Sequence, residues 1–235
     1  MSRNRFYKEV SVDPADGASL RRVLLDGKVV KTPGGAVLAL PSDGLAQAVA
    51  EEWRTQRPLI RPETMVLTKL ANTAIDRVAP NPAGVRGQLL AIANSDVVCY
   101  RAEFPVDLVR RQALAWDSLL AWMHDRFAVS LRSTSGLAFV EQEPSAIGAL
   151  DLALSGRDGF SLAALYAAAA LCGSLVIAMA LAERKLSADE AIAAANLDRF
   201  YQAERWGWDE QASAKVAAER AELNQISRFL ELLQT

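Results

Sequence analysis

Between Asp158 and Glu183 the chain carries 24 residues without a charge, GFSLAALYAAAALCGSLVIAMALA, and any fold it adopts has to cover that run. Its length meets the about 18–20 residues a membrane-spanning helix needs. Nine of the 24 are Ala, with Gly159, Gly173, Ser161 and Ser174 besides, so transfer into lipid gains little compared with a Leu- or Ile-rich span. Arg157 and Asp158 stand before it, Glu183, Arg184 and Lys185 after it, and no second run of this kind exists. The reading is therefore one helix over 160–183, buried on every face in a helical bundle, with no integral membrane span. Its small residues Cys172 and Gly173 are expected to lie against a neighbouring helix.

The first hundred residues have a different period. RFYKEVSV, LRRVLL and KVVK read as strands, the last two joined by Asp26-Gly27, and AVLAL follows Pro33-Gly34-Gly35. Asp-Gly between β-rich runs is a strong hairpin signal, because both residues accept positive φ. After Ser42 the apolar spacing turns helical up to Gln56, and 63–93 reads as two helical pieces broken at Pro80 and Pro82. VVCYR at 97–101 is the last strand signal. From Pro105 a long amphipathic helix is expected, with Leu108, Gln112, Ala115, Leu119, Trp122 and Arg126 along one face. After a connecting segment at 128–142, helices are expected over 144–155, 160–183, 187–206 and 209–233. Ser187 with Glu190 forms a capping box, and Gly207 stands at a helix end. Strands followed by helices give an α+β class: an antiparallel β-containing part over 1–102 and an all-α part over 105–235.

Little in the chain can carry catalysis. The phosphate-binding glycine patterns are absent, and Gly34-Gly35 lies between strands with no helix start behind it. A single histidine, His124, and two separated cysteines, Cys99 and Cys172, supply neither a zinc set nor a nucleophile with its base, so no catalytic residue, metal or cofactor is expected. The carboxylate pairs Glu51/Glu52, Glu141/Glu143 and Asp209/Glu210 are sequence neighbours that read as solvated. A net charge of −2 advertises neither nucleic acid nor an anionic membrane. No leader character marks MSRNRFYKEV, which gives a cytoplasmic expectation.

One segment stands apart, LDRFYQAERWGWDE at 197–210. Trp206 and Trp208 flank a helix break and cannot easily both turn inward, and exposed tryptophan favours partner binding. Upstream, Asp198, Gln202 and Arg205 read as one polar face, while Glu204 shares a partly apolar face with Leu197 and Tyr201. Glu204, Trp206, Trp208, Asp198 and Gln202 are accordingly the candidate partner-binding residues. The competing reading is a small-molecule enzyme that uses carboxylates such as Asp198 and Glu204 in a cleft between the two parts.

Eight blocks in order carry a resemblance. RFYKEV at 5–10, LDGKVVKTP at 25–33, LALP at 38–41, EEWRTQ at 51–56 and IRPETM-x-LTKLANTAID at 60–76 resemble the opening of the ATP-synthase alpha-subunit assembly chaperones. SDVVCYRAE at 95–103, RRQ-x-x-x-WDSLLAW at 110–122 and LDRFYQAERWGWDE at 197–210, with the Gly-Ser at 173–174, continue it over nearly the whole chain. The resemblance implies a chaperone without enzymatic activity. Its partner would be the alpha subunit of ATP synthase, kept from aggregating before it meets beta, with no nucleic acid or small-molecule substrate. Relatives of this kind work in the mitochondrial matrix, and a bacterial version works in the cytoplasm. Arg199 departs from the family pattern, which often places an acid there.

Overall fold

The computed structural model describes residues 3–14, 20–136 and 138–234. The chain divides into two compact units. One comprises Met1–Pro82, Asp158–Ala164 and Arg228–Thr235; the other comprises Ala83–Arg157 and Leu165–Ser227. The class is α+β, with an antiparallel strand region first and a helical part after it.

In the first unit, β3 (Arg21–Leu25) is the central strand. It pairs antiparallel with β2 (Val10–Pro14) on one side and with β4 (Lys28–Val29) and β5 (Ala39–Leu40) on the other. Alternation buries Val23 and Leu25. Asp26 and Gly27 close the β3–β4 hairpin at φ 48° and 76°, as the Asp-Gly signal predicts. Asp26 does more than turn the chain. Its carboxylate accepts the N–H groups of Lys8 and Glu9, at 3.0 and 2.8 Å, which holds its pKa below the usual carboxylate range. Those amides are thereby withdrawn from any ladder, which is why the strand expected from Arg5 begins only at Val10. The short β1 (Arg3–Asn4) pairs with β6 (Leu59–Ile60).

Helix α1 (Asp43–Thr55) packs on β2 and β3, burying Leu45, Ala46 and Val49. Ser42 caps it by accepting from the Leu45 N–H. Glu52, expected to be solvated, turns the other way. Its carboxylate accepts the Leu67 and Thr68 N–H groups and the Thr68 hydroxyl, at 2.8, 2.8 and 2.6 Å, and so caps α2 (Val66–Thr73). Burial raises its pKa despite these bonds. Asp76, just beyond α2, accepts from the Thr32 hydroxyl and the Gly34 N–H. A Cβ on Gly34 would sit 2.7 Å from that carboxyl, so only glycine permits the approach.

The second unit contains α3 from Ala83 onward (Pro82–Ala93 in full), α4 (Val106–Phe127), α5 (Pro144–Ser155), α7 (Leu175–Ala182), α8 (Ala188–Ala195) and α9 (Leu197–Trp206). Helices α6 (Gly159–Cys172) and α10 (Glu210–Leu232) contribute residues to both units. The strand signal at 97–101 becomes a 3-10 turn, Val97–Cys99, followed by β7 (Tyr100–Arg101). This strand pairs parallel with β8 (Thr134–Ser135) inside the connecting segment.

The uncharged run is two helices rather than one. Gly173 adopts φ +63° and Ser174 caps α7 by accepting from the Ile177 N–H. All eight residues of α7 are buried against α4 and α8, whereas α6 leaves Tyr166 exposed. Gly173 packs no neighbouring helix on its side-chain side, since a Cβ there would meet nothing within 4 Å, while its carbonyl accepts the Val97 N–H at 3.1 Å. The helix expected over 187–206 likewise breaks, at Asn196, whose N–H and side-chain amide both return to the Ile192 carbonyl. The capping box at Ser187 and Glu190 forms as expected.

Burying α7 leaves its first N–H groups without water, and Asp96 meets them. Its carboxylate accepts from Val176 N–H at 3.0 Å and from Val98 N–H at 3.2 Å, in a site with no solvent exposure. Desolvation outweighs the donors and pushes its pKa from 3.8 up to about 6.

Two measurements test these assignments. Because Gly173 sits in open space at positive φ, Gly173→Ala and Gly173→Leu are each expected to cost about 1 kcal/mol in urea unfolding, from backbone strain alone. A far larger loss for the leucine would show packing instead. For Asp96, the folded pKa exceeds the unfolded one, so its contribution is fully present below about pH 4 and is lost as pH rises through about 6. The stability of the wild-type protein minus that of Asp96→Asn should therefore shrink by roughly 3 kcal/mol from about pH 4 to about pH 7. A constant difference would contradict the burial of the charge.

Candidate functional site

Helix α4 presents Gln112, Trp116, Leu119 and Met123 to the core at helical spacing. Trp116 is fully buried and donates its indole N–H to the Ala194 carbonyl at 3.0 Å. The residues one step round from that stripe, Asp107 and Arg111, meet α9.

Tyr201 is the buried residue of α9, and its hydroxyl donates to Asp107 at 2.7 Å. Arg205 donates to the other oxygen of the same carboxylate at 2.5 Å and lays its guanidinium 4.5 Å from the Tyr201 ring centre. Hydrogen bonds from Tyr201 and Arg205 lower the Asp107 pKa; desolvation and the neighbouring carboxylate raise that of the Tyr201 phenol. One turn along, Arg111 pairs with Glu204 at 2.6 Å and also approaches the Tyr201 ring at 5.3 Å. The Gln112 side chain donates its amide N–H to Asp198 at 2.7 Å while its Oε1 accepts the Ala102 N–H.

The polar face expected of Asp198, Gln202 and Arg205 is therefore divided. Asp198, Glu204 and Arg205 all engage α4, whereas Gln202 points to solvent. Glu204 has its cationic partner inside the chain, in Arg111. Arg199 pairs with Glu219 of α10 at 3.1 Å. Asp107, Arg111 and Gln112 were not singled out from the sequence: an acid in a first turn and a basic pair on a helix are ordinary surface features, and only the register of α9 shows that they act together.

The tryptophans emerge from this frame. Trp206 ends α9 with 78% of its surface exposed, Gly207 follows at φ +85°, and Trp208 is 44% exposed with its ring edge-on to Phe200 at 5.6 Å. Phe104 and Val106, beside the start of α4, are exposed as well, as is Leu114 further along it. Arg205 and Asp107 join the end of α9 to the start of α4, and Trp206 and Val106 are the chain neighbours of that ion pair. Beside Glu204 lies a groove of about 460 Å³ lined by Leu114, Leu119, Leu186, Ala193, Leu197 and Phe200.

The chemistry elsewhere is inert. The thiols of Cys99 and Cys172 are buried and pushed up to about 12. His124 is exposed, with Nδ1 2.9 Å from the Ser130 hydroxyl. Among the described residues no group of His, Cys, Asp or Glu side chains could hold a metal ion, and no helix is long and apolar enough to cross a membrane.

The fold is shared with known proteins. The family model described as ATP12 chaperone protein matches residues 4–124, just over half the chain. The chain belongs to the ATP12 chaperone family. Protein atp12, mitochondrial, of Schizosaccharomyces pombe is 26% identical over 223 residues, 90% of this chain and 76% of that protein. The crystal structure of Atp12 from Paracoccus denitrificans superposes with a TM-score of 0.91 at 37% identity over 98% of both chains. A protein from Agrobacterium tumefaciens gives 0.94 at 35% identity, over 99% of this chain and 87% of that one. The ATP12 family match thus includes Asp107, Arg111 and Gln112 of α4 directly, and the Atp12 structure extends the likeness through α9 and α10.

The α4–α9 contact gives an expected ranking. The Arg111–Glu204 pair is about half exposed on both sides, so Glu204→Ala should stay within about 1 kcal/mol of wild type in urea unfolding. Tyr201→Ala should lose about 3 kcal/mol, because it empties a buried site and removes one of the two donors to Asp107. Equal losses would mean that the ion pair, rather than the ring, holds α9.

Proposed function

We propose that this protein is an assembly chaperone of ATP synthase that holds the free alpha subunit of the catalytic head, without catalysing any reaction, until alpha meets beta. Membership of the ATP12 chaperone family supports the general role. The observation that carries the rest is the exposure of Trp206 and Trp208 at the end of α9 and of Phe104 and Val106 at the start of α4, two helix ends joined by the Arg205–Asp107 pair. An unassembled subunit exposes apolar surface that drives aggregation, and a holdase must cover it reversibly. Indole rings supply large contact area at small entropic cost, and a charged border sets orientation without great affinity.

In this reading Trp206 and Trp208 are the apolar anchors. Glu204, Asp198 and Gln202 form the polar border, and the bonds of Arg111 and Gln112 hold the two acids in place. The same bonds argue against Asp198 and Glu204 as acid–base catalysts, since each is committed to a fold contact. The solved relatives from Paracoccus and Agrobacterium support a bacterial setting, and the name of the fission yeast relative is that of a mitochondrial protein.

The test is capture of recombinant alpha subunit by this chain, with beta as the control. Trp206→Ala and Glu204→Lys are each expected to weaken capture by about 2 kcal/mol, roughly thirtyfold, with thermal melting close to wild type. Normal melting together with normal protection of alpha in both variants would remove α9 from the client surface.

A further inference from the structure

A second concavity, of about 700 Å³, lies wholly within the first unit. Its apolar wall is built by Trp53 from α1, by Ile60 and Pro62, and by Met65 at the start of α2. Lys31, Lys69 and Arg77 also line it, and none of the three has an ion-pair partner among the described residues. One acid lines it, Asp76, and both of its oxygens are already bonded, to the Thr32 hydroxyl and the Gly34 N–H. The concavity therefore has an apolar wall and a border of three cations against one carboxylate.

These features select an occupant. A hydrocarbon or a lipid tail would leave three cations unmatched, and a compact inorganic anion would leave the apolar wall uncovered. A peptide segment can carry both kinds of group that the concavity presents. Apolar side chains cover the wall, and Asp or Glu side chains meet the lysines and Arg77. The whole concavity falls inside the 4–124 match to the ATP12 family. Apart from Arg77, every residue lining it belongs to one of the sequence blocks KVVKTP, EEWRTQ and IRPETM-x-LTKLANTAID. We infer that this groove is a second client contact, which takes an apolar segment bearing acidic side chains. The inference rests on the reading of the chain as a chaperone that binds a polypeptide, and it adds a site remote in sequence from α9.

The experiment uses the full chain labelled with ¹⁵N, in which each of the five tryptophans gives one indole N–H signal and Trp53→Phe identifies that of Trp53. The probes are a capped hexapeptide alternating leucine and glutamate, its leucine–lysine counterpart, and glutarate as a free dicarboxylate. The acidic peptide is expected to shift the Trp53 signal saturably, leaving those of Trp206 and Trp208 in place, and the basic peptide and glutarate are not. Lys31→Glu combined with Lys69→Glu, both on exposed side chains, should weaken that binding by about tenfold or more with an unchanged melt. No shift at Trp53, an equal shift with the basic peptide, or an equal shift with glutarate would each overturn the inference. Capture of alpha by the wild-type chain is measured in parallel. Capture without a Trp53 shift overturns the groove alone, whereas a Trp53 shift without capture upholds the groove and overturns the alpha-subunit reading.

Discussion

A helix with no polar face can be buried only if something inside the protein answers the N–H groups at its start, and the second unit is arranged around that requirement. The eight residues of α7 offer water nothing, so α4 and α8 enclose them. Asp96 and Ser174 supply the acceptors that solvent would otherwise supply. The cost shows in the carboxyl group itself, which holds its proton up to about pH 6 because desolvation exceeds what the amides return. With α7 fixed, Trp116 of α4 can reach the Ala194 carbonyl at the end of α8, and the chain turns at Asn196 to lay α9 back along α4.

What the sequence announces and what it conceals divide by range. The Asp26-Gly27 hairpin, the Ser42 cap, the Ser187–Glu190 box and the stop at Gly207 are set by residues within four positions of one another, and each is legible as a pattern. The break at 173–174 was legible too, because Gly followed by Ser is a helix end followed by a cap, but absence of charge masked it. Glu52, Asp76 and Asp96 were not legible. Each is a carboxylate with a partner on another segment, 15, 42 and 80 positions away, and nothing local announces that long-range bond. The same holds for α9. Its exposed tryptophans could be expected from two indoles about a glycine, whereas the pairing of Glu204 with Arg111 depends on the angle at which α9 meets α4.

A common device emerges from the concealed residues. Asp26 binds the amides of 8 and 9, Glu52 the start of α2, Asp76 the turn at 32–34 and Asp96 the start of α7. In each the side chain closes a backbone end that secondary structure alone would leave open, and charge-assisted bonds to N–H groups are among the stronger ones available. Acids that a motif search would weigh as catalysts are thus consumed in joining segments, consistent with a protein whose family is described as chaperone rather than as enzyme.

The surface around α9 follows the opposite rule, and the contrast explains how it can be both exposed and ordered. Trp206 gains nothing from the interior, yet the residue before it is tied to Asp107 and the one before that to Arg111. In the proposed role as a client anchor, a ring held in this way would lose less conformational freedom on binding than one on a loose loop, and cutting that loss is how a small apolar area yields useful affinity. The fixing bonds lie half in solvent, where ion pairs contribute little to folding. Their weight therefore falls on the placement of the aromatic rings rather than on the stability of the unit, which rests on Tyr201, Trp116 and the enclosed α7.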